Sequence, residues 1–327
     1  MNIRRLFLNS SALLALGALG GLSLSVHAAS WPTQPLRIVV PFAAGGTSDV
    51  IARLMSKPLS DALGVPVLID NRTGAAGNIG AAYVANATDN HTVLLTDLGS
   101  LAISPLVTKD LPFKPSDLQG VAMLAYSPHL LVAHPGVAAN NLKELVALSQ
   151  TSKINVASSG TGTPNHLGMV EIALETGMKW QHVPYRGGAQ SLNDTAAGTT
   201  QVVLNGMLAT LPLVQGGRLK VIGISRATRM PLVSQIPTIA EQGVKNFESG
   251  TYQGVTASSK MPRQAIERLN TEMIRIIRSP EMRARLLEAG AEVMTSTPLQ
   301  TTEFIVKDRI RWANVIKRAG TQLEGTD

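Results

Sequence analysis

Two glycine-rich stretches concentrate the residues whose types and spacing could do chemistry. The first runs Pro41-Phe42-Ala43-Ala44-Gly45-Gly46-Thr47-Ser48-Asp49, and the second Ser158-Ser159-Gly160-Thr161-Gly162-Thr163-Pro164-Asn165-His166. Glycine lets the backbone turn sharply and lets a ligand approach it closely. Each stretch leads into a helical pattern, with Thr47 or Ser48 as cap in the first, and Thr163 as cap before Pro164 in the second. A helix start carries N–H groups without intrahelical acceptors and the positive end of the dipole. The chemistry on offer is therefore capture of a carboxylate or phosphate. Ordinary strand-to-helix turns use the same residue types, so either loop alone is ambiguous, but two of them favour an anion site with a wall from each of two lobes.

Rival chemistries fail on the same residues. Gly160-Thr161-Gly162 begins like a dinucleotide fingerprint, but Asn165 stands where the third glycine belongs, and no Gly-Lys-Ser/Thr follows a glycine loop. The nearest approach to a nucleophile elbow, Gly223-Ile224-Ser225-Arg226-Ala227, ends in alanine and lies on a strand pattern. Of six histidines, none forms a His-Glu-x-x-His pair, so no metal site is read. One enzymatic alternative survives: an exported serine hydrolase using Ser158 or Ser159 with His166, though no acid sits at a convincing spacing to orient the base. Asp49 complements the dipole of its helix and can also hold the loop in shape by hydrogen bonding. Asp97, at a strand end, is ambiguous.

The elements that must position these loops alternate. Apolar strands read at Leu36–Val40, Val65–Ile69, Thr92–Thr96, Val121–Ala125, His129–Ala133, Ile154–Ser158, Val202–Leu204 and Leu219–Ile224. Helical patterns separate them at Ser48–Leu63, Asn78–Asn86, Leu142–Ser149 and Pro164–Thr176, the first and last stopped by Gly64 and Gly177. This rhythm is that of α/β folds built on parallel sheets. The last third reads as three helices opening on Pro262, Pro280 and Pro298, with Met273, Ile274, Ile276 and Ile277 as a core stripe. Crossings between lobes are expected at Tyr126-Ser127-Pro128 and at Met230–Pro237. The expected division is residues 29–125 plus 228–327 for one lobe and 126–227 for the other.

Arg4 and Arg5, an apolar run from Ala12 to Leu24, and Val26-His27-Ala28 have the pattern of a secretory leader cleaved after Ala28. The run is too short for a comfortable membrane span, and no later segment is long enough. The chain contains no cysteine, which removes disulfides, cysteine-held metals and a lipid-carrying cysteine. The expectation is a free periplasmic protein. Its formal charge of +7 invites a nucleic-acid reading, but aromatics are only 4% and the basic residues are dispersed, so no nucleic-acid partner is expected.

Five motifs in fixed order resemble one family. They are Val40–Asp49, Asn71–Ala81, Ser158–Thr163 with His166-Leu167, Val183–Gly187 and Pro237–Gly243. Together they are similar to the extracytoplasmic receptors of tripartite tricarboxylate transporters, the Bug or TctC-like family. The resemblance implies a type II periplasmic binding protein fold, two Rossmann-like lobes around a ligand cleft. It implies carboxylate capture by the Phe42–Asp49 and Ser158–Thr163 loops, with Ser100 at a further cleft position. His166 and Asn205 join them as candidate ligand contacts, although packing or a backbone hydrogen bond is the commoner role for a histidine in a first helical turn. The receptor expected on this reading is a monomer without enzymatic activity or cofactor, with membrane permease subunits or a sensor protein as partners. Three positions depart from the family pattern. Asn205 stands where aspartate is common, Tyr252 where tryptophan is common, and Thr73 where proline is usual. Asn205 removes a charged partner for a ligand ammonium, so an amino-acid ligand is disfavoured.

Overall fold

The computed structural model describes residues 31–320, so the leader assigned to residues 1–28 and its cleavage after Ala28 lie outside the described residues. β1 (Leu36–Val40) leads through the first glycine loop to α1 (Thr47–Leu63), which Gly64 stops in a left-handed cap at φ 72°, its N–H donating to the Ser60 carbonyl. β2 (Val67–Asn71), α2 (Asn78–Ala85), β3 (Thr92–Asp97) and α3 (Leu98–Val107) follow. β4 (Leu118–Ala133) is a single strand of 16 residues, buried from Gly120 to its end. Then come α4 (Leu142–Ser149), β5 (Asn155–Ser158), α5 (Pro164–Thr176), β6 (Gln181–Pro184), α6 (Gly188–Ala196), β7 (Val202–Gly206), α7 (Met207–Gln215) and β8 (Lys220–Ile224). The last third holds β9 (Gly250–Ser258), α8 (Arg263–Ile277), α9 (Pro280–Glu288), β10 (Glu292–Val293) and α10 (Pro298–Ala319).

The strands order as β2-β1-β3-β9-β4-β7-β5-β6, with β8 and β10 also on β4. β1 lies parallel between β2 and β3, and β5 lies parallel between β6 and β7. Each trio therefore has its first strand in the middle, so helical connections leave it on both sides and a crevice opens at the strands' carboxyl ends. β9 runs antiparallel to β3 and to the first part of β4, from Leu118 opposite Ser258 to Pro128 opposite Gly250. From His129 onward β4 pairs instead with β7 and β8.

Three expectations change here. The two strands read at 121–125 and 129–133 are one, because Pro128 sits where β4 exchanges β9 for β7, a place that tolerates a residue without an N–H. The return crossing is not at Met230–Pro237: Met230, Val233 and Ile236 pack with Leu130, Val132, Val203 and Ile224. The chain comes back to the first trio at Ser249-Gly250, where β9 begins. β2 spans Val67–Asn71, two residues beyond the expected start. Around the first trio, Val39, Leu94, Leu98 and Met123 pack with Val84 of α2, each side chain contributing about 1.5–3 kcal/mol when fully buried. Met273, Ile276 and Ile277 are buried as expected, and Ile274 is half-buried.

Candidate functional site

Both crevices open into one cavity, whose wall is made mostly of helix starts. α1 contributes Gly46, Thr47 and Ser48, with Phe42 from the loop before it. α3 contributes Asp97 and Ser100, α5 contributes Thr163 and Asn165 with Ser159 ahead of them, and α6 contributes Gly188. Asn205 at the end of β7 and Thr251 and Gln253 on β9 complete the lining. Four helix N-termini thus point at one small volume, and their first-turn N–H groups and dipoles favour a negative charge there. Among the described residues Asp97 is the ionisable residue of the lining, and no Lys, Arg or His contributes. The space open to the centre of a water-sized sphere is about 40 Å³, the scale of a site for a small molecule.

The first loop is braced from behind, and the bracing occupies the N–H groups of Ala43, Gly45 and Gly46 rather than those of the first turn of α1. Gly46 occupies the N-cap of α1 with no side-chain cap. Asp49 is 2% exposed; its Oδ2 accepts from the Gly45 N–H at 2.9 Å and Arg53 Nε at 2.8 Å, and its Oδ1 accepts from Asn71 Nδ2 at 3.0 Å. Burial alone would raise its carboxyl, but the hydrogen bonds from Arg53, Gly45 and Asn71 hold it below the usual range. Gly45 has φ +84°, a conformation that glycine adopts without strain. The loop also reaches the turn before α6: Ala43 N–H donates to the Arg186 carbonyl at 3.3 Å. A Cβ on Gly187 would lie 2.9 Å from the Ala43 nitrogen, so this approach requires glycine.

The second loop is braced in the same manner. Ser158 Oγ accepts from the Gly160 N–H at 3.1 Å and lies 2.6 Å from His182 Nε2. His166 Nδ1 accepts from the Gly162 N–H at 3.1 Å, and the rings of His166 and His182 stack at 4.0 Å. Burial, then the neighbouring His166, lowers the His182 imidazole to about 3, so it is neutral. Thr163 Oγ1 lies 2.7 Å from the Gly160 carbonyl and 2.6 Å from Asn165 Oδ1, while Asn165 Nδ2 donates to Ser159 Oγ at 2.9 Å.

Of the residues singled out in the sequence, Phe42, Gly46, Thr47, Ser48, Ser100, Ser159, Thr163 and Asn205 line the cavity. Ala43, Ala44, Gly45, Asp49, Ser158, Gly160, Thr161, Gly162 and His166 do not. They shape or brace the loops from outside, since Asp49, Ser158 and His166 spend their acceptors on loop amides. Asp97, Asn165, Gly188, Thr251 and Gln253 line the cavity without having been singled out as ligand contacts. Asp97, at a strand end, and Asn165, inside the second glycine-rich stretch, were within reach of sequence reasoning. Gly188, Thr251 and Gln253 arrive through pairing and packing that no local pattern records. The hydrolase alternative loses its geometry: Ser158 is 2% exposed and bonded to His182, which has no carboxylate partner among the described residues.

Ser100 Oγ and Gln253 Oε1 are buried without a hydrogen-bond partner, on residues that line the cavity. A fold of two sheet trios enclosing such a cavity defines a solute-binding receptor of the periplasmic binding protein type. The family description "Tripartite tricarboxylate transporter family receptor" matches residues 51–321, and the chain belongs to that family. Protein BugT of Bordetella pertussis is 30% identical over 312 residues, covering 94% of this chain and 96% of its own. Among solved structures, Rpa4515 of R. palustris with adipate superposes at a TM-score of 0.86 with 32% identity, covering 89% of this chain and 98% of that one. MatC of Rhodopseudomonas palustris with bound malate gives a TM-score of 0.83 and 27% identity, covering 88% and 100%. The periplasmic binding protein BugD gives 0.84 and 27%, covering 91% and 100%. The matched family is one of receptors, and BugD is a periplasmic binding protein.

Proposed function

We propose that the mature protein, released into the periplasm by cleavage near Ala28, closes over a small dicarboxylate and presents it to membrane permease subunits or to a sensor protein. The observation that carries this reading is the meeting of four helix starts on a cavity without a basic side chain. Such a wall holds carboxylate oxygens by amides and hydroxyls. Adipate in Rpa4515 and malate in MatC give the size class. Asn205 offers no charge to an ammonium group, which sets amino acids apart from the acids this pocket takes. One lobe comprises residues up to about 125 and from about 250 onward, the other the residues between, and the receptor acts as a monomer.

Thermal-shift screening of the mature protein against short mono- and dicarboxylates, followed by calorimetry, tests the proposal. A ligand at a hundred times its Kd stabilises the folded state by about 2.7 kcal/mol, and small-angle scattering should show compaction with it. Silence across the whole panel from a folded, monodisperse sample would refute the carboxylate assignment.

A further inference from the structure

Asp97 is an acid in an anion cavity. It is 5% exposed, and its Oδ1 accepts from the Gly99 N–H at 3.1 Å and the Tyr252 N–H at 3.0 Å. Its Oδ2 makes no hydrogen bond among the described residues, and Asp97 forms no ion pair with any of them. Beside it in the same wall are Ser100 Oγ and Gln253 Oε1, also without partners, on residues that are 4% and 1% exposed. An ionised Asp97 would set a bare negative charge against the ligand's own, in a wall that carries no cation to separate them.

We propose that Asp97 enters the complex as the neutral acid and donates a hydrogen bond from Oδ2 to an anionic oxygen of the bound dicarboxylate. Capture of the ligand is then linked to a proton, and Asp97 selects acids that present an acceptor at this point. The inference rests on the carboxylate reading of the cavity and adds to it the residue that reads the anion by its own side chain.

The surroundings support the neutral form. On α10, Asp308 faces Asp97 across Gly99: a Cβ on Gly99 would lie 3.4 Å from both Asp308 Oδ2 and Asp97 Oδ1. Arg311 leans on Asp308, 3.9 Å away at Oδ1, while Trp312 Nε1 donates to Asp308 Oδ2 at 2.9 Å. On β9, the Tyr252 ring packs between Tyr126 and Phe304, at 4.8 and 4.7 Å. On α5, His166 holds the Gly162 amide, and on α1, Asp49 is tied to Arg53. No cation is therefore aimed at Asp97 from these elements. Burial pushes its carboxyl up to about 8; the Tyr252 and Gly99 amides oppose this, and the charge of Asp308 adds to it.

The sign follows directly. Below about pH 8 the free receptor already holds the proton that the complex needs, so affinity is flat there. Above that pH the proton must be bound together with the ligand, and affinity falls toward about tenfold per pH unit. Calorimetric titration of the mature receptor with adipate and with malate from about pH 6 to 9.5, in buffers of different ionisation enthalpy, reads both quantities. We expect a flat Kd near neutrality, weakening above pH 8, and proton uptake on binding in that range. Asp97→Asn keeps an acceptor for the two amides and a donor for the ligand, so it should bind within a few-fold at pH 6.5 and show no weakening at higher pH.

A wild-type Kd that stays flat or tightens as pH rises overturns the inference while leaving the carboxylate reading in place. So does an Asp97→Asn variant that is folded by near-ultraviolet circular dichroism yet has lost binding at pH 6.5, because an ionised carboxylate is then what the ligand requires. If that variant does not fold, the wild-type pH profile and proton uptake decide alone. Absence of binding to any acid at every pH would remove the carboxylate reading and this inference together.

Discussion

Replacing Gly188 by alanine tests the location of the site without disturbing the fold. Gly188 opens α6 with a backbone conformation open to any residue, and a Cβ there would lie 2.6 Å from Asn205 Oδ1, 3.1 Å from Nδ2 and 3.2 Å from Cγ. The Asn205 amide must swing away, giving up its 3.4 Å contact with Thr210 Oγ1, and both the new methyl and the displaced amide crowd a space of about 40 Å³. For folding, alanine gains up to about 1 kcal/mol over glycine in a helix. A strained asparagine rotamer costs about 0.5–1.5 kcal/mol, so the two nearly cancel. The melting temperature should stay within about 3 °C of the parent. For binding, overpacking costs about 1–3 kcal/mol, which is about 5- to 150-fold in Kd. Calorimetry with the best acid from the screen, beside differential scanning calorimetry, separates the two effects. A second measurement makes the mechanism specific: in an Asn205→Ala background there is no amide to displace, so Gly188→Ala should cost much less. Parental affinity in the single variant, or an undiminished penalty in the double variant, would refute the steric argument.

Three further outcomes are expected. Ser100→Ala removes a buried hydroxyl without a partner, so urea melts should show stability unchanged or raised by up to about 1 kcal/mol, while affinity falls about 2- to 10-fold by calorimetry. Gly250→Ala puts a Cβ 2.5 Å from Tyr126 Cε2 and 2.8 Å from the Ser127 carbonyl, where β9 starts beside Pro128, and should cost about 2–3 kcal/mol in chemical denaturation. His129 is fully buried, and desolvation, then the charge of Arg311, lowers its imidazole to about 3. The unfolded chain therefore binds a proton near pH 6.5 that the folded one refuses. The contribution is complete above about pH 6.5 and is lost on acidification at about 1.4 kcal/mol per pH unit, which His129→Asn should subtract from the slope of melts between pH 4.5 and 7, leaving the like contribution of His182.

The alternating layers were legible because buried parallel strands are short apolar runs, as in Leu36–Val40 and Thr92–Thr96, stopped by helices with glycine at their ends. The two glycine loops were legible for the same local reason. β9 was not: Gly250-Thr251-Tyr252-Gln253-Gly254 has two glycines and little apolar content, and it becomes a strand because β3 and β4 pair with it from both sides. At Gly254 a Cβ would strike Leu98 Cδ1 at 2.6 Å, so the glycine that weakens the local strand signal is what lets α3 sit on the sheet. Pro128 misled in the opposite sense, marking a change of partner within one strand rather than the end of it. In the site, Asp49 was identified by its place in the first helical turn, but a helix start does not say whether an acid there faces the ligand or braces the loop. The hydrogen bonds from Gly45, Arg53 and Asn71, of which only the one from Asn71 is long-range, turn its carboxylate to the back of the loop.

A wall of main-chain amides has a genetic consequence. A codon change can swap Ser48, Thr163 or Asn205, but it cannot delete the peptide N–H groups at the starts of α1 and α5 while the helices still form. Under mutation, a pocket of this kind can drift from one acid to another through single side-chain steps, and its general capacity for acids is lost only when a loop changes course. On the proposed reading, the residues most sensitive to such a loss are those steering the chain: Gly45, Asp49 and Gly187.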